Sequence, residues 1–207
     1  KKAVMGYGAE ITYCEPALKA RETTLESVIE KTGAVEIHPF DDPRVISGQG
    51  TAALELMDEI DDLDAILAPV GGGGLICGTA IAVAGMGNSV SVFAAEPKNA
   101  DDAYQSFKSG KFVPQTNPDT MADGLLTSLS ELTLSIIMKY VSDIFTVTEE
   151  EIITAMQTVW ERMKIIIEPS SAVPVAAVLN QANNLAGKKV GIILTGGNVD
   201  LEKLRWF

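Results

Sequence analysis

The sequence predicts an α/β fold, a parallel sheet covered on both faces by helices. Three observations predict it. The runs "DAILAPV", "SVSVFAAE", "DIFTVT" and "KKVGIILTGG" are almost continuously apolar, without the polar alternation of a half-exposed strand, so they read as strands buried on both sides. Segments of helical period separate them, which is the pattern of parallel strands joined by crossovers. At 207 residues and 46% hydrophobic, the chain can bury one large core or two small ones.

In order, Lys1 to Gly8 reads as the end of a helix running into a strand over 10–14, as if the chain opened in the middle of a domain. A helix from Pro16 to Lys31, stopped by Gly33, leads to a short strand "AVEIHP" over 34–39. In "DDPRVISGQGTAALELMDEI", Val45, Ile46, Ala53, Leu54 and Met57 recur at near-helical spacing. The strand "DAILAPV" meets four glycines, after which "LICGTAIAVAG" is a helix of small residues and "SVSVFAAE" the next strand. "DIFTVT" is closed by Thr148, an N-cap with Glu151 three residues on, which opens a helix over 149–164. "PSSAVPVAAVLNQA" continues as a helix despite Pro174, and a last buried strand over 188–197 ends in glycines. No internal repeat or low-complexity linker interrupts this order.

Composition excludes several functions. Sixteen basic against twenty-eight acidic residues leave a net charge of −12 with no basic cluster, which argues against a nucleic-acid partner. No apolar run is long enough for a membrane span, and the N-terminus lacks the features of a targeting peptide, so a cytoplasmic location is expected. Cys14 and Cys77 have no further thiol or histidine at ligand spacing, so neither a disulfide framework nor a zinc site is expected.

The chemistry gathers at Gly71 to Gly74. In an α/β fold ligands bind beyond the carboxyl ends of the strands, where loops turn into helix N-termini. Glycines there let successive N–H groups converge on one anion, and the following helix adds the positive end of its dipole. Glycines also serve close packing, but four in a row between a buried strand and a helix favour a phosphate cup. A P-loop is excluded, because Leu75 and Ile76 stand where Lys and Ser or Thr are required. A dinucleotide fingerprint fits imperfectly: its third glycine falls on Ile76 or Cys77. Glu96 nevertheless lies where a ribose-binding acid belongs, which leaves a nicotinamide-dependent oxidoreductase as an alternative.

The segments "PVGGGGL", "AAEPKNADDAYQSFKSGK", "MADGL", "DIFTVTEEEI", "WERMKIIIEPSSAVPVAA" and "GIILTGGNVDL" together resemble the eukaryotic serine racemases. They belong to the wider serine/threonine dehydratase family of fold-type II pyridoxal-phosphate enzymes. "HPFDDPRVISGQGTAALE" is similar to threonine dehydratases generally, and "EPKNADD" to the racemase branch and the related hydroxyaspartate dehydratases. The resemblance implies the three-layer fold of tryptophan synthase β, with the rest of a small domain over 1–40 and a large cofactor-binding domain over 41–207. A non-catalytic ligand-binding relative is the remaining alternative.

Residue by residue, the resemblance implies that Gly71, Gly72, Gly73 and Gly74, with the N–H of Leu75, hold the phosphate of pyridoxal 5'-phosphate. Thr195 stands where the family usually has serine, facing the pyridine nitrogen; a hydroxyl there makes a weaker electron sink than a carboxylate, which suits racemisation and elimination. Glu168 and Phe40 match positions near the cofactor ring. Glu96, Asp102 and the carbonyl of Ala100 match a site for magnesium or calcium, hard cations that prefer oxygen. Arg21 matches a contact to the substrate carboxylate. Tyr7 matches a position near an ATP effector site, and His38 is expected to be structural. A homodimer acting on a serine-like amino acid is implied. The family's cofactor lysine and its opposite-face serine belong to motifs that match nothing in these residues, so no catalytic residue of that kind is expected here. Lys108, in "QSFKSGK", imitates the lysine motif only superficially.

Overall fold

A computed structural model describes residues 2–15, 18–87, 89–180 and 185–204. The chain divides into two units, residues 1–38 and 39–207. Phe40, expected at the end of the smaller part, belongs to the larger one.

Among the described residues the smaller unit holds two helices, α1 (Lys2–Gly6) and α2 (Leu18–Thr32). Pro16, where the second helix was expected to begin, lies outside the described residues. The strands expected over 10–14 and 34–39 do not form. Tyr13, Val35 and Ile37 within them remain exposed. Strand propensity acts only where a neighbouring strand completes a ladder, and neither segment joins a sheet.

The larger unit is built on four parallel strands, β1 (Ala65–Pro69), β2 (Ser91–Pro97), β3 (Asp143–Val147) and β4 (Val190–Ile192), in the order β3-β2-β1-β4. The pleat explains their apolar character. In β1, Ile66 and Ala68 face one core while Ala65 and Leu67 face the other; Ala94 and Ala95 of β2 divide in the same way. Both faces being covered, neither set can be polar.

One face carries α3 (Pro43–Gln49), α4 (Thr51–Glu59), α5 (Gly74–Met86), α6 (Asp102–Ser109) and α7 (Glu131–Tyr140). The other carries α8 (Glu149–Met163) and α9 (Pro169–Asn180). The capping box of Thr148 and Glu151 opens α8 as expected. Helix α7 was not anticipated, although Ser130 and Thr133 cap it reciprocally. Pro174 sits buried within α9, and residues 181 and 182 of the expected helix lie outside the described residues.

The last strand is shorter than the expected 188–197. Its pairing with β1 ends where Ile193 N–H donates to the Leu67 carbonyl at 3.0 Å. As an edge strand it has only β1 to follow, and the chain leaves the sheet just before Thr195. Among the described residues no helix is long and apolar enough to cross a membrane.

Candidate active site

The site begins where β1 stops. Val70 N–H still donates to the Ala95 carbonyl at 2.9 Å, so the two central strands stay paired up to the first glycine. Gly73 then takes φ +93° and ψ −5° and serves as the N-cap of α5. A left-handed backbone suits glycine, and a Cβ here would also lie 2.7 Å from Cβ of Thr133. At Gly72 a Cβ would lie 2.2 Å from Cδ1 of Phe40. The loop is thus stripped of side chains because the Phe40 ring and Thr133 of α7 lie directly against it.

Above the loop is a cavity of about 300 Å³, floored by Gly71 to Leu75 with Pro39 and Phe40. Gly124, Leu125 and Thr127 form one wall; Glu168, Ser170 and Thr195 form another. A larger but shallow depression, about 530 Å³, borders Cys14 and Lys19 in the smaller unit. The cavity at the strand ends, where α/β folds bind their ligands, is the candidate site.

The second wall is stitched together by the start of α9. Glu168 N–H donates to the Gly196 carbonyl at 3.0 Å, and Asn198 N–H donates to Glu168 Oε2 at 2.9 Å. Gly196 N–H donates to Ser171 Oγ at 3.2 Å, while Gly124 N–H donates to Ser170 Oγ at 3.1 Å. Glu168 and its two serines therefore hold the chain that carries Thr195 and the opposite wall at Gly124. Thr195 itself is exposed at the rim.

A second polar centre lies at the end of β2. Glu96 is 0% exposed and Asp102 2%. Glu96 accepts from Ala103 N–H at 3.2 Å and Tyr104 N–H at 2.9 Å, at the start of α6. The Tyr104 donor, which would otherwise reach back toward the Ala100 carbonyl, is spent on Glu96. Asp102 accepts from Gln115 Nε2 at 2.8 Å and from Leu129 N–H at 3.4 Å. Burial pushes the Glu96 carboxyl well above the usual carboxylate range, and the Asp102 charge adds to this. Burial also pushes Asp102 up to about 7 against its hydrogen bonds. Every donor named here is neutral, and among the described residues neither acid has an ion pair with a basic side chain.

Two buried carboxylates without a counter-charge fit a hard divalent cation, with the Ala100 carbonyl the further ligand the resemblance implies. The described residues contain no cluster of three or more His, Cys, Asp or Glu side chains arranged for a metal, so the donor set would be completed by the carbonyl and water. The side-chain-free loop at the α5 N-terminus likewise fits a phosphate.

Most of the expected site residues converge. Gly71 to Leu75, Phe40, Glu168 and Thr195 line the one cavity, and Glu96 and Asp102 share the second centre, while Ala100 is buried in the short turn between them in the chain. Arg21 is exposed on α2 and Tyr7 is exposed beyond α1, both in the smaller unit. Lys108 is ion-paired with Asp143 at 2.6 Å, at the start of β3. Ser170, Thr127 and Gln115 were not singled out from sequence. Only Ser170 left a signal, its place in the segment that also contains Glu168.

The strand order is that of the first four strands of a dinucleotide-binding fold, but Glu96 cannot serve as the ribose acid of the alternative reading. It is fully buried and does not line the cavity at the strand ends, where a dinucleotide would lie.

Residues 1–196 match the family of pyridoxal-phosphate dependent enzymes. The chain is 49% identical to a β-hydroxyaspartate dehydratase of Paracoccus denitrificans, over 100% of this chain and 65% of that protein. It is 52% identical to a serine racemase of Dictyostelium discoideum, over 98% of this chain and 64% of that protein. The solved structure of maize serine racemase superposes with a TM-score of 0.93 at 40% identity, over 97% of this chain and 64% of the other. The chain thus spans just under two thirds of the length of these relatives. Sequence and fold agree over nearly every residue: this chain belongs to the pyridoxal-phosphate dependent enzyme family of fold-type II.

Proposed function

We propose that this chain is the cofactor-cradling part of an enzyme that racemises serine or a related 3-hydroxy amino acid, or removes water from it. The observation that carries this is the glycine floor at the N-terminus of α5, free of side chains and lining one cavity with Thr127, Glu168, Ser170 and Thr195. The racemase and dehydratase named above support the substrate class. Pyridoxal phosphate, when bound, supplies an electron-withdrawing ring that weakens the bond from the substrate's α-carbon to hydrogen.

The N–H groups from Gly72 to Leu75 would bind the phosphate, and Phe40 would back the loop that presents them. Thr195 would donate its hydroxyl to the ring nitrogen. Glu168, by accepting from Asn198 N–H, would hold Thr195 at the rim. Arg21 is proposed to contact the substrate carboxylate, and Glu96, Asp102 and the Ala100 carbonyl to hold magnesium or calcium. ATP as an effector, a cytoplasmic location and assembly with a second copy rest on the resemblance alone. The lysine that carries the cofactor is proposed to lie outside these residues; the ion pair that engages Lys108 supports this.

Titrating the chain with pyridoxal phosphate, followed by absorption and by competition with inorganic phosphate, tests the reading. Saturable binding that phosphate displaces is expected. Binding that is indifferent to phosphate, or stronger binding of a nicotinamide dinucleotide, would overturn it.

A further inference from the structure

The connection between α6 and α7, residues 110–130, reaches Asp102 twice. Gln115 donates Nε2–H to Asp102 Oδ1 at 2.8 Å, and Leu129 donates its N–H to Oδ2 at 3.4 Å. The amide of Gln115 is oriented, because its Oε1 accepts from Thr116 N–H at 3.0 Å and so turns the NH2 group toward the carboxylate. The backbone N–H of Gln115 donates to Ser128 Oγ at 2.7 Å, beside Leu129. The two ends of the connection are therefore tied to each other and to both oxygens of one buried acid.

The chemistry of the brace matters as much as its geometry. A lysine or arginine at position 115 would neutralise Asp102 and close the centre to a cation. A carboxamide holds the carboxylate still while leaving its charge and remaining lone pairs unspent. We propose that Gln115 is a positioning residue, its carboxamide aiming Asp102 at the Glu96 and Ala100 oxygens and thereby setting the affinity of that centre for a hard divalent cation. This rests on the cation site proposed above.

The test is calorimetric titration of the chelator-treated chain with CaCl2 and with MgCl2, alongside melting curves in chelator and in saturating CaCl2. Gln115→Ala is expected to weaken cation binding by about ten- to a hundredfold, the usual effect of removing a partner that orients a ligand. Gln115→Glu keeps the length but offers carboxylate oxygens. It is expected to melt lower than wild type in chelator and to regain or exceed wild-type cation binding. Should Gln115→Ala fail to fold by circular dichroism, Gln115→Asn, which keeps the amide one methylene short, carries the same expectation of weakened binding. Wild-type cation affinity in the folded Ala or Asn variant overturns the inference, as does a melting loss in Gln115→Glu that CaCl2 leaves unchanged, the mark of a merely structural brace. Wild type that binds neither cation removes the cation site itself and this inference with it, whereas wild-type binding with unaffected variants removes the inference alone.

Discussion

A Cβ added to Gly72 would fall 2.2 Å from Cδ1 of Phe40, closer than any two carbon atoms can pack without bonding. The glycine and the ring are one structural unit. From sequence alone the missing side chain at position 72 was attributed to the space a phosphate needs. The structure adds a cause inside the protein, since the Phe40 ring occupies the room a side chain at position 72 would need. Gly72→Ala should therefore destabilise the chain by about 1–3 kcal/mol, as overpacking does. Phe40→Ala in the same chain should recover part of that loss. Urea denaturation of the two single variants and the double variant checks this; purely additive effects would show that the two do not interact.

Asp102 and Glu96 give stability a pH dependence opposite to that of ordinary paired carboxylates. An acid whose folded pKa exceeds its unfolded value binds protons more tightly when folded. As pH rises from 3.8 to about 7, the folded chain therefore loses stability through Asp102, and the loss is complete above that range. Glu96 acts in the same direction. In chelator, the melting temperature of wild type should fall relative to Asp102→Asn across this range. A constant difference between the two proteins would refute the account.

The two cysteines should react very differently. Cys14 is exposed, whereas Cys77 is buried in α5 with its thiol donating to the Thr133 carbonyl at 3.3 Å. Burial pushes the Cys77 thiol up to about 12, so almost no thiolate forms at neutral pH. An alkylating reagent at pH 7.5 should label one thiol rapidly and the second only after denaturation, with mass spectrometry locating the label. Rapid labelling of Cys77 in the native chain would contradict its burial.

Lys108 should be dispensable for cofactor binding. It pairs with Asp143 and lies within 5.5 Å of the Tyr104 ring centroid, at the amino end of β3, whereas the cavity lies beyond the carboxyl ends of the strands. Lys108→Ala should bind pyridoxal phosphate as wild type does in an absorption titration. A specific borohydride-fixed adduct at Lys108 would reverse this conclusion.

Local information in the sequence was enough for the sheet and most of its helices. The β1 run "AILAP" and the Thr148 capping box carry their own explanation, because burial on both faces and the pairing of helix-end N–H groups act over a few residues. The phosphate cup was legible for the same reason: glycines between strand and helix are adjacent in the chain. Strands 10–14 and 34–39 failed because pairing is non-local, and propensity cannot supply a partner. Helix α7 was overlooked although its cap was present, since the surrounding connection from 110 to 130 shows no clear period. What tertiary structure alone decided was company. It pressed Phe40 against Gly72, brought Ser170 to Gly124, and turned Gln115 onto Asp102. Those contacts join segments 13 to 46 residues apart, where only the packing of helices onto the two faces of the sheet determines which side chains meet.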